Sequence, residues 1–406
     1  MTAYLIAGAR VLTPEGLEDL SVRVEDGLIA EIGAPSAAGA VVLNASGLLL
    51  APAIVDIHGD AFERSVAPRP SVTFPLDTAI LDVDRQLAGL GIATAYHALT
   101  LSWEPGLRSV EQGAAFIDAL QAIGDRLTVD HRLQLRWETF ALEAIPLIER
   151  VLAGPRTPAI AFNDHTSMSM RAFDTPVTER PFEHAPGFVA ADPVDPRMRA
   201  RVASSAKRAG LSDDDYIALQ SQVWARRDGV APALAEVAAM GRAAGAPMLS
   251  HDDASQAARD FYRALGARIA EFPMQETIAR DARAEGEAVV LGAPNVLRGG
   301  SHIGSLSAAD MIEAGLCGVL ASDYAYPAML AAVGRLHRER RAPLAQIWAC
   351  VSSGPARALG LSDRGEIAVG RRADLAALDW PEGGAPAARL TLSAGRIAHL
   401  SGDFFG

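Results

Sequence analysis

Apolar and polar positions follow three regimes along the chain. Over the first fifty residues, YLIAGARVLTPEG, LSVRVEDGLIAEIG and GAVVLNASGLLL alternate with period two between Gly, Pro and Asn turns, which predicts short strands with one buried face. GEIAVGRRADLAALDW and RLTLSAGRIAHLSG repeat that grain at the other end. Residues 1–50 and 358–406 are therefore expected to pair into one small β-sandwich domain. Between them, over 51–357, solidly apolar runs alternate with helical patterns such as VEQGAAFIDALQAIGDR, IPLIERVLAG and AADMIEAG. Eight runs read as strands: APAIVDIH, GIATAYHALT, HRLQLRWE, PAIAFNDH, APMLSHDD, ARIAEFP, AVVLGAPN and GVLASD. Apolar strands alternating with helices predict an α/β parallel sheet, here a (β/α)8 TIM-like barrel. A doubly wound sheet is the alternative, but no GxGxxG or GxxxxGK[ST] follows a strand. Residues 166–246 are long for one connection and include the loop-like TPVTERPFEHAPGFVAADPVDPR, which predicts a lid or insertion over the barrel mouth.

The apolar runs share one irregularity, a polar residue at the C-terminal end. His58 and Asp60 follow the first run, Glu138 ends the third, and His165, His251 and Asp323 end later ones. In a barrel those ends converge on one mouth. Six imidazoles and carboxylates gathered there would repel or stay unsatisfied unless a cation sat among them, and divalent ions are the expected cofactor. Zinc is the first expectation, and manganese or iron tolerates the same donors. The i, i+2 spacing of His58 and Asp60 lets both reach one ion. His97 and His131 read as structural.

Composition narrows the partners. With 406 residues, half of them hydrophobic, the chain can bury a large core. A net charge of −12 argues against nucleic acid or an anionic membrane as partner, although a local basic pocket could still hold a phosphorylated small molecule. No apolar run is long enough to span a bilayer and the N-terminus lacks a signal-peptide pattern, so the cytoplasm is expected. Cys317 and Cys350 lie in apolar stretches without a CxxC pattern. Lys207 is the sole lysine, which nearly excludes chemistry that needs a buried one.

LLLAPAIVDIHGD and GEIAVGRRADLAALD resemble the LLLPGxIDxHxH and GxIxxGxxADLVxxD segments of the amidohydrolase superfamily of metal-dependent hydrolases. PRPSVTFP, FNDHTS, LSHDDAS, IAEFP, GAPNVLRGGSH and ASDYAYP resemble the phosphonate-metabolism branch of that superfamily, whose members release diphosphate from ribose-phosphonate triphosphates. The resemblance implies that His58, His165, His251 and Asp323 are metal ligands, that Asp60 stands where the second histidine of HxH would be, and that a homodimer is common. Many members bridge two ions through a carbamylated lysine. Here Glu138 is the candidate replacement.

Two ions sharing a water would lower its pKa toward neutrality, with Asp323 taking the proton and passing it to the leaving group. Phosphate would be met by Arg298, the free backbone N–H groups of Gly299 and Gly300, Ser301 and His302, with Arg69 as a second clamp. HGDAFER replaces the HTDN-like segment of the branch. This keeps open a cyclic-amide hydrolase or heterocycle deaminase, and beyond it a metal-stabilised binding protein without catalysis.

Overall fold

Each of the eight runs forms a strand, and they hydrogen-bond in parallel in chain order: β1 (Ile54–Gly59), β2 (Ile92–Leu101), β3 (Asp130–Glu138), β4 (Ala159–Asn163), β5 (Met248–His251), β6 (Ile269–Glu271), β7 (Ala288–Gly292) and β8 (Val319–Ala321). The structure, a computed structural model, describes residues 2–69, 72–300, 304 and 306–405. Every residue of β1 and β2 is buried, which is why these strands read as continuous apolar runs: helices cover the outer face and side-chain layers fill the inside.

The barrel closes through residues that also belong to its mouth. Asp323 N–H donates to the His58 carbonyl (2.9 Å) and Asp60 N–H to the Asp323 carbonyl (2.9 Å), with Gly59 bridged to Asp323. Beneath this seam the buried Asp56 accepts from Ser322 N–H (3.0 Å) and Ser322 Oγ (2.6 Å). A Cβ on Gly59 would lie 2.8 Å from Asp56 Oδ2, Ser322 Oγ and Tyr326 Cε1, so only glycine lets the two edges meet.

The connections are helical: α1 (Leu76–Gly89) after β1, α2 (Val110–Ala122) after β2, and α3 (Ile145–Leu152) after β3. The expected insertion lies between β4 and β5. It consists of α4 (His165–Met170), a long loop, α5 (Arg197–Ala209), α6 (Asp213–Trp224) and α7 (Arg227–Ala243). Arg180 fastens the loop to the mouth, donating to the Asp252 carbonyl (2.6 Å), and Gln275 ties it again through the Thr178 and Ala254 carbonyls (both 2.8 Å). Among the described residues no helix is long and apolar enough to cross a membrane.

Two further sheets are built from the chain ends, and the larger one joins them. A four-stranded sheet takes Tyr4–Ala7, Ser21–Glu25, Leu28–Gly33 and Val41–Asn44. In a six-stranded one, Leu375–Asp379 runs antiparallel to Leu49–Pro52. Ile6, Val22, Leu43, Leu50, Leu375 and Leu392 share one buried core, as period-two patterning at both ends required.

Candidate metal centre

The strand ends bring His58, His165, His251 and Asp323 to the wall of one cavity of about 280 Å³. Asp60 lies beside it in the seam. The donor atoms form compact groups: His58, Asp60 and Asp323 in one, His165, His251 and Asp252 in a second, and His58, His251 and Glu271 in a third, with the atoms of each group within 4.8 Å of one another. Imidazole nitrogens and carboxylate oxygens this close around a common space fit a divalent ion.

Glu271, which the sequence reading passed over, organises two of the histidines. Its Oε1 accepts from His58 Nδ1 (3.0 Å) and Gln134 Nε2 (2.8 Å), and its Oε2 from His251 Nδ1 (2.7 Å). Burial alone would raise its carboxyl, yet His58 and His251 hold it far below the ordinary carboxylate range. An ionised Glu271 keeps a proton on each Nδ1, which makes Nε2 the lone-pair nitrogen of both rings. Burial would push the His58 imidazole down, but Glu271 outweighs that and raises it. The same field that favours a proton on His58 favours a metal cation there. A signal was available in IAEFP, where a buried three-residue strand ends in a carboxylate just as β5 ends in His251.

Glu138 stands apart from the three groups. Its Oε1 is hydrogen-bonded to His165 Nδ1 and its Oε2 accepts from His165 N–H (3.2 Å). Glu138 thus holds the His165 ring as Glu271 holds the other two. Burial would raise its carboxyl, and His165 draws it below the usual value. Part of the positive charge that the mouth demands comes from the protein itself. Arg136 donates to Asp60 Oδ2 (3.3 Å) and lies 3.4 Å from His251 Nε2. Burial pushes the Asp323 carboxyl above its ordinary range.

Among the described residues, three of the six non-glycine residues with positive φ sit at this mouth: Asp252 (58°), Phe272 (53°) and Asp323 (53°). Each follows the end of a strand, and left-handed backbone costs about 1 kcal/mol or more for a residue such as Phe272. The turn carries Asp252 back toward His165, with Oδ2 3.9 Å from His165 Nε2 and 3.6 Å from His251 Nε2.

The expected phosphate groups are only partly at hand. Arg298 and Gly300 line the cavity. However, Gly299 N–H is bonded to the Val296 carbonyl (3.2 Å) and Gly300 N–H to that of Asn295 (3.1 Å). Both end the helix Ala293–Arg298, so these N–H groups are spent on the helix terminus rather than free for an oxyanion. Ser301 and His302 lie outside the described residues. Arg69 is exposed and is not among the residues lining the cavity. Lys207 is exposed on α5 and takes no part.

Comparison with known proteins agrees with this fold. The model of the amidohydrolase family matches residues 206–399. The alpha-D-ribose 1-methylphosphonate 5-triphosphate diphosphatase of Escherichia coli (strain K12) is 30% identical over 361 residues, covering 87% of this chain and 89% of that protein. Among solved structures, an amidohydrolase from an environmental sample of the Sargasso sea superposes with a TM-score of 0.64 at 17% identity, covering 98% of this chain and 93% of that one. The L-hydantoinase (dihydropyrimidinase) of Arthrobacter aurescens gives 0.61 at 15% identity, covering 100% and 97%.

Proposed function

Because the chain belongs to the amidohydrolase family and is a hydrolase of small molecules, we propose that the bond it cleaves is a phosphoanhydride and that diphosphate leaves from a ribose-phosphonate triphosphate or a close analogue. The observation that carries the reading is a donor-rich mouth whose wall also presents guanidinium groups, Arg136 and Arg298. Such a wall complements a phosphate chain and has no counterpart in the needs of a neutral cyclic amide.

His58, Asp60 and Asp323 would hold one divalent ion and His165, His251 and Asp252 a second, with zinc the first candidate and manganese or iron compatible with the same donors. Bound there, the ions would lower the pKa of a water and polarise the phosphorus–oxygen bond. The chain's own groups do the rest. Asp323, whose carboxyl burial raises above its ordinary value, accepts the proton of the attacking water and delivers it to the departing oxygen. Arg136 and Arg298 neutralise charge on the diphosphate as it leaves. Glu271 and Glu138 keep the three rings aimed throughout. Cys317 and Cys350 are free and buried, which supports a reducing compartment such as the cytoplasm.

Metal-loaded protein incubated with ribose 5-triphosphates, with and without a 1-methylphosphonate group, is expected to release diphosphate. Absence of diphosphate from every triphosphate, together with opening of hydantoin or dihydropyrimidine rings by the same preparation, would replace this reading with the cyclic-amide one.

A further inference from the structure

Beside the metal mouth lies a second cavity, of about 320 Å³, that the catalytic reading leaves unassigned. The two cavities share Arg136 and His165 in their walls, and the volume falls in the range of about 300–1,000 Å³ usual for small-molecule sites. The insertion builds its far side. Five guanidiniums line it, those of Arg108, Arg136, Arg171, Arg201 and Arg208, against two carboxylates, Glu104 and Glu138.

Three of the five are already matched. Arg208 pairs with Glu104 (2.9 Å), whose other neighbour is Tyr216 Oη (2.5 Å). Arg108 binds both Glu63 oxygens at 2.8 Å, and Arg136 reaches Asp60. Arg171 and Arg201 are different. Arg171 donates only to the Thr175 (2.9 Å) and Met168 (2.8 Å) carbonyls, and Arg201 only to those of Ser169 (2.9 Å) and Arg171 (2.5 Å). Among the described residues neither has a carboxylate within ion-pair distance. Arg201 lies over the Phe173 ring at 4.0 Å, on which Arg197 also stacks at 4.3 Å. The bonds to backbone carbonyls and the stacking fix both side chains in place, so they do not sweep freely through solvent.

Burial draws both guanidiniums below their ordinary value, and neighbouring cations add to it: Arg180 beside Arg171, and Arg171 with Arg197 beside Arg201. Asp195, which pairs with Arg197, offsets this only in part at Arg201, and an arriving anion relieves the remaining cost of confining like charges. We propose that this chamber is a polyphosphate subsite, in which Arg171 and Arg201 grip the distal phosphoryl groups of a substrate whose reacting phosphorus lies at the metal mouth beyond Arg136. The assignment rests on the phosphoanhydride reading above for the identity of the bond cleaved, but not for the binding of the anion. Guanidinium forks match phosphate oxygens in pairs. The two guanidiniums left unmatched in the wall, Arg171 and Arg201, carry more positive charge than a single carboxylate would neutralise.

The test is titration calorimetry of the metal-loaded protein with inorganic tripolyphosphate. An Arg171→Gln/Arg201→Gln double variant is expected to bind at least about 30-fold more weakly than the parent, since charge-assisted hydrogen bonds are lost at both positions. Arg199→Gln, which alters an exposed residue of α5 paired with Asp214, is expected to bind as the parent does. As a measurement that needs no variant, tripolyphosphate should shield Arg171 and Arg201 of the unaltered protein from phenylglyoxal, read by peptide mass. Equal affinity in the double variant, or equal phenylglyoxal reaction with and without tripolyphosphate, overturns the proposal. The two readings fail separately. Arginine-dependent binding without hydrolysis of any triphosphate removes the reaction and keeps the chamber, whereas triphosphate hydrolysis with kcat/KM unchanged in the double variant removes the chamber and keeps the reaction.

Discussion

Asp323→Asn is expected to lower kcat by about 10³-fold or more while the protein stays folded, because under the proposed mechanism it removes the proton acceptor and a metal-facing oxygen in one step. The fold should survive for a local reason. The seam uses the backbone of Asp323, its N–H on the His58 carbonyl and its carbonyl on Asp60 N–H, and asparagine adopts the left-handed backbone found there as readily as aspartate does. Steady-state kinetics with saturating metal, alongside thermal unfolding, separates the two effects. A variant that keeps more than a tenth of parental kcat would show that the proton goes elsewhere.

Glu271→Gln carries the second large effect. An amide offers one acceptor and one donor where the carboxylate offers two acceptors. Facing Nδ1 of both His58 and His251, glutamine can satisfy only one ring in its present tautomer. The other must move its proton to Nε2 and so loses the lone pair that an ion needs. Metal affinity is expected to fall by about 10–100-fold, measured by competition with a chelator of known affinity. Activity should then recover in part at high metal concentration, which a loss of fold would not allow. Unchanged affinity would mean that Glu271 has no hold on the ligands.

These two residues also show what could be read from the amino-acid order. The barrel was legible because its strands are buried on both faces, so APAIVDIH or GIATAYHALT stands out as unbroken apolar sequence. The convergence of His58, His165, His251 and Asp323 on one cavity was legible because each breaks such a run at the same end. Glu271 ends a run as well, but its importance lies in reaching two rings from other strands, a contact between β1, β5 and β6 that no spacing along the chain expresses. Asp252 was hidden for another reason. In LSHDDAS the residue after His251 should point away, and only the left-handed turn swings it back. The chamber arginines were the least legible. Arg201 belongs to RMRARVASSAKRA, which reads as a solvated basic helix, and Arg171 lies thirty residues before it, in the loop-like insertion.

The glycines of the RGGSH stretch illustrate the opposite error. A short run of glycines after an arginine looked like an anion cradle, but the same chemistry ends a helix, and here Val296 and Asn295 take the N–H groups. The proposed phosphate recognition accordingly draws on guanidiniums brought together from several elements.

The most direct measurement is anomalous scattering at the zinc edge from crystals of zinc-loaded protein. One peak is expected among His58, Asp60 and Asp323 and another among His165, His251 and Asp252, each within about 2.3 Å of its nitrogen and oxygen donors. A fully zinc-loaded crystal with no peak at either group would contradict the assignment of this mouth as a metal centre, and with it the hydrolytic chemistry assigned there.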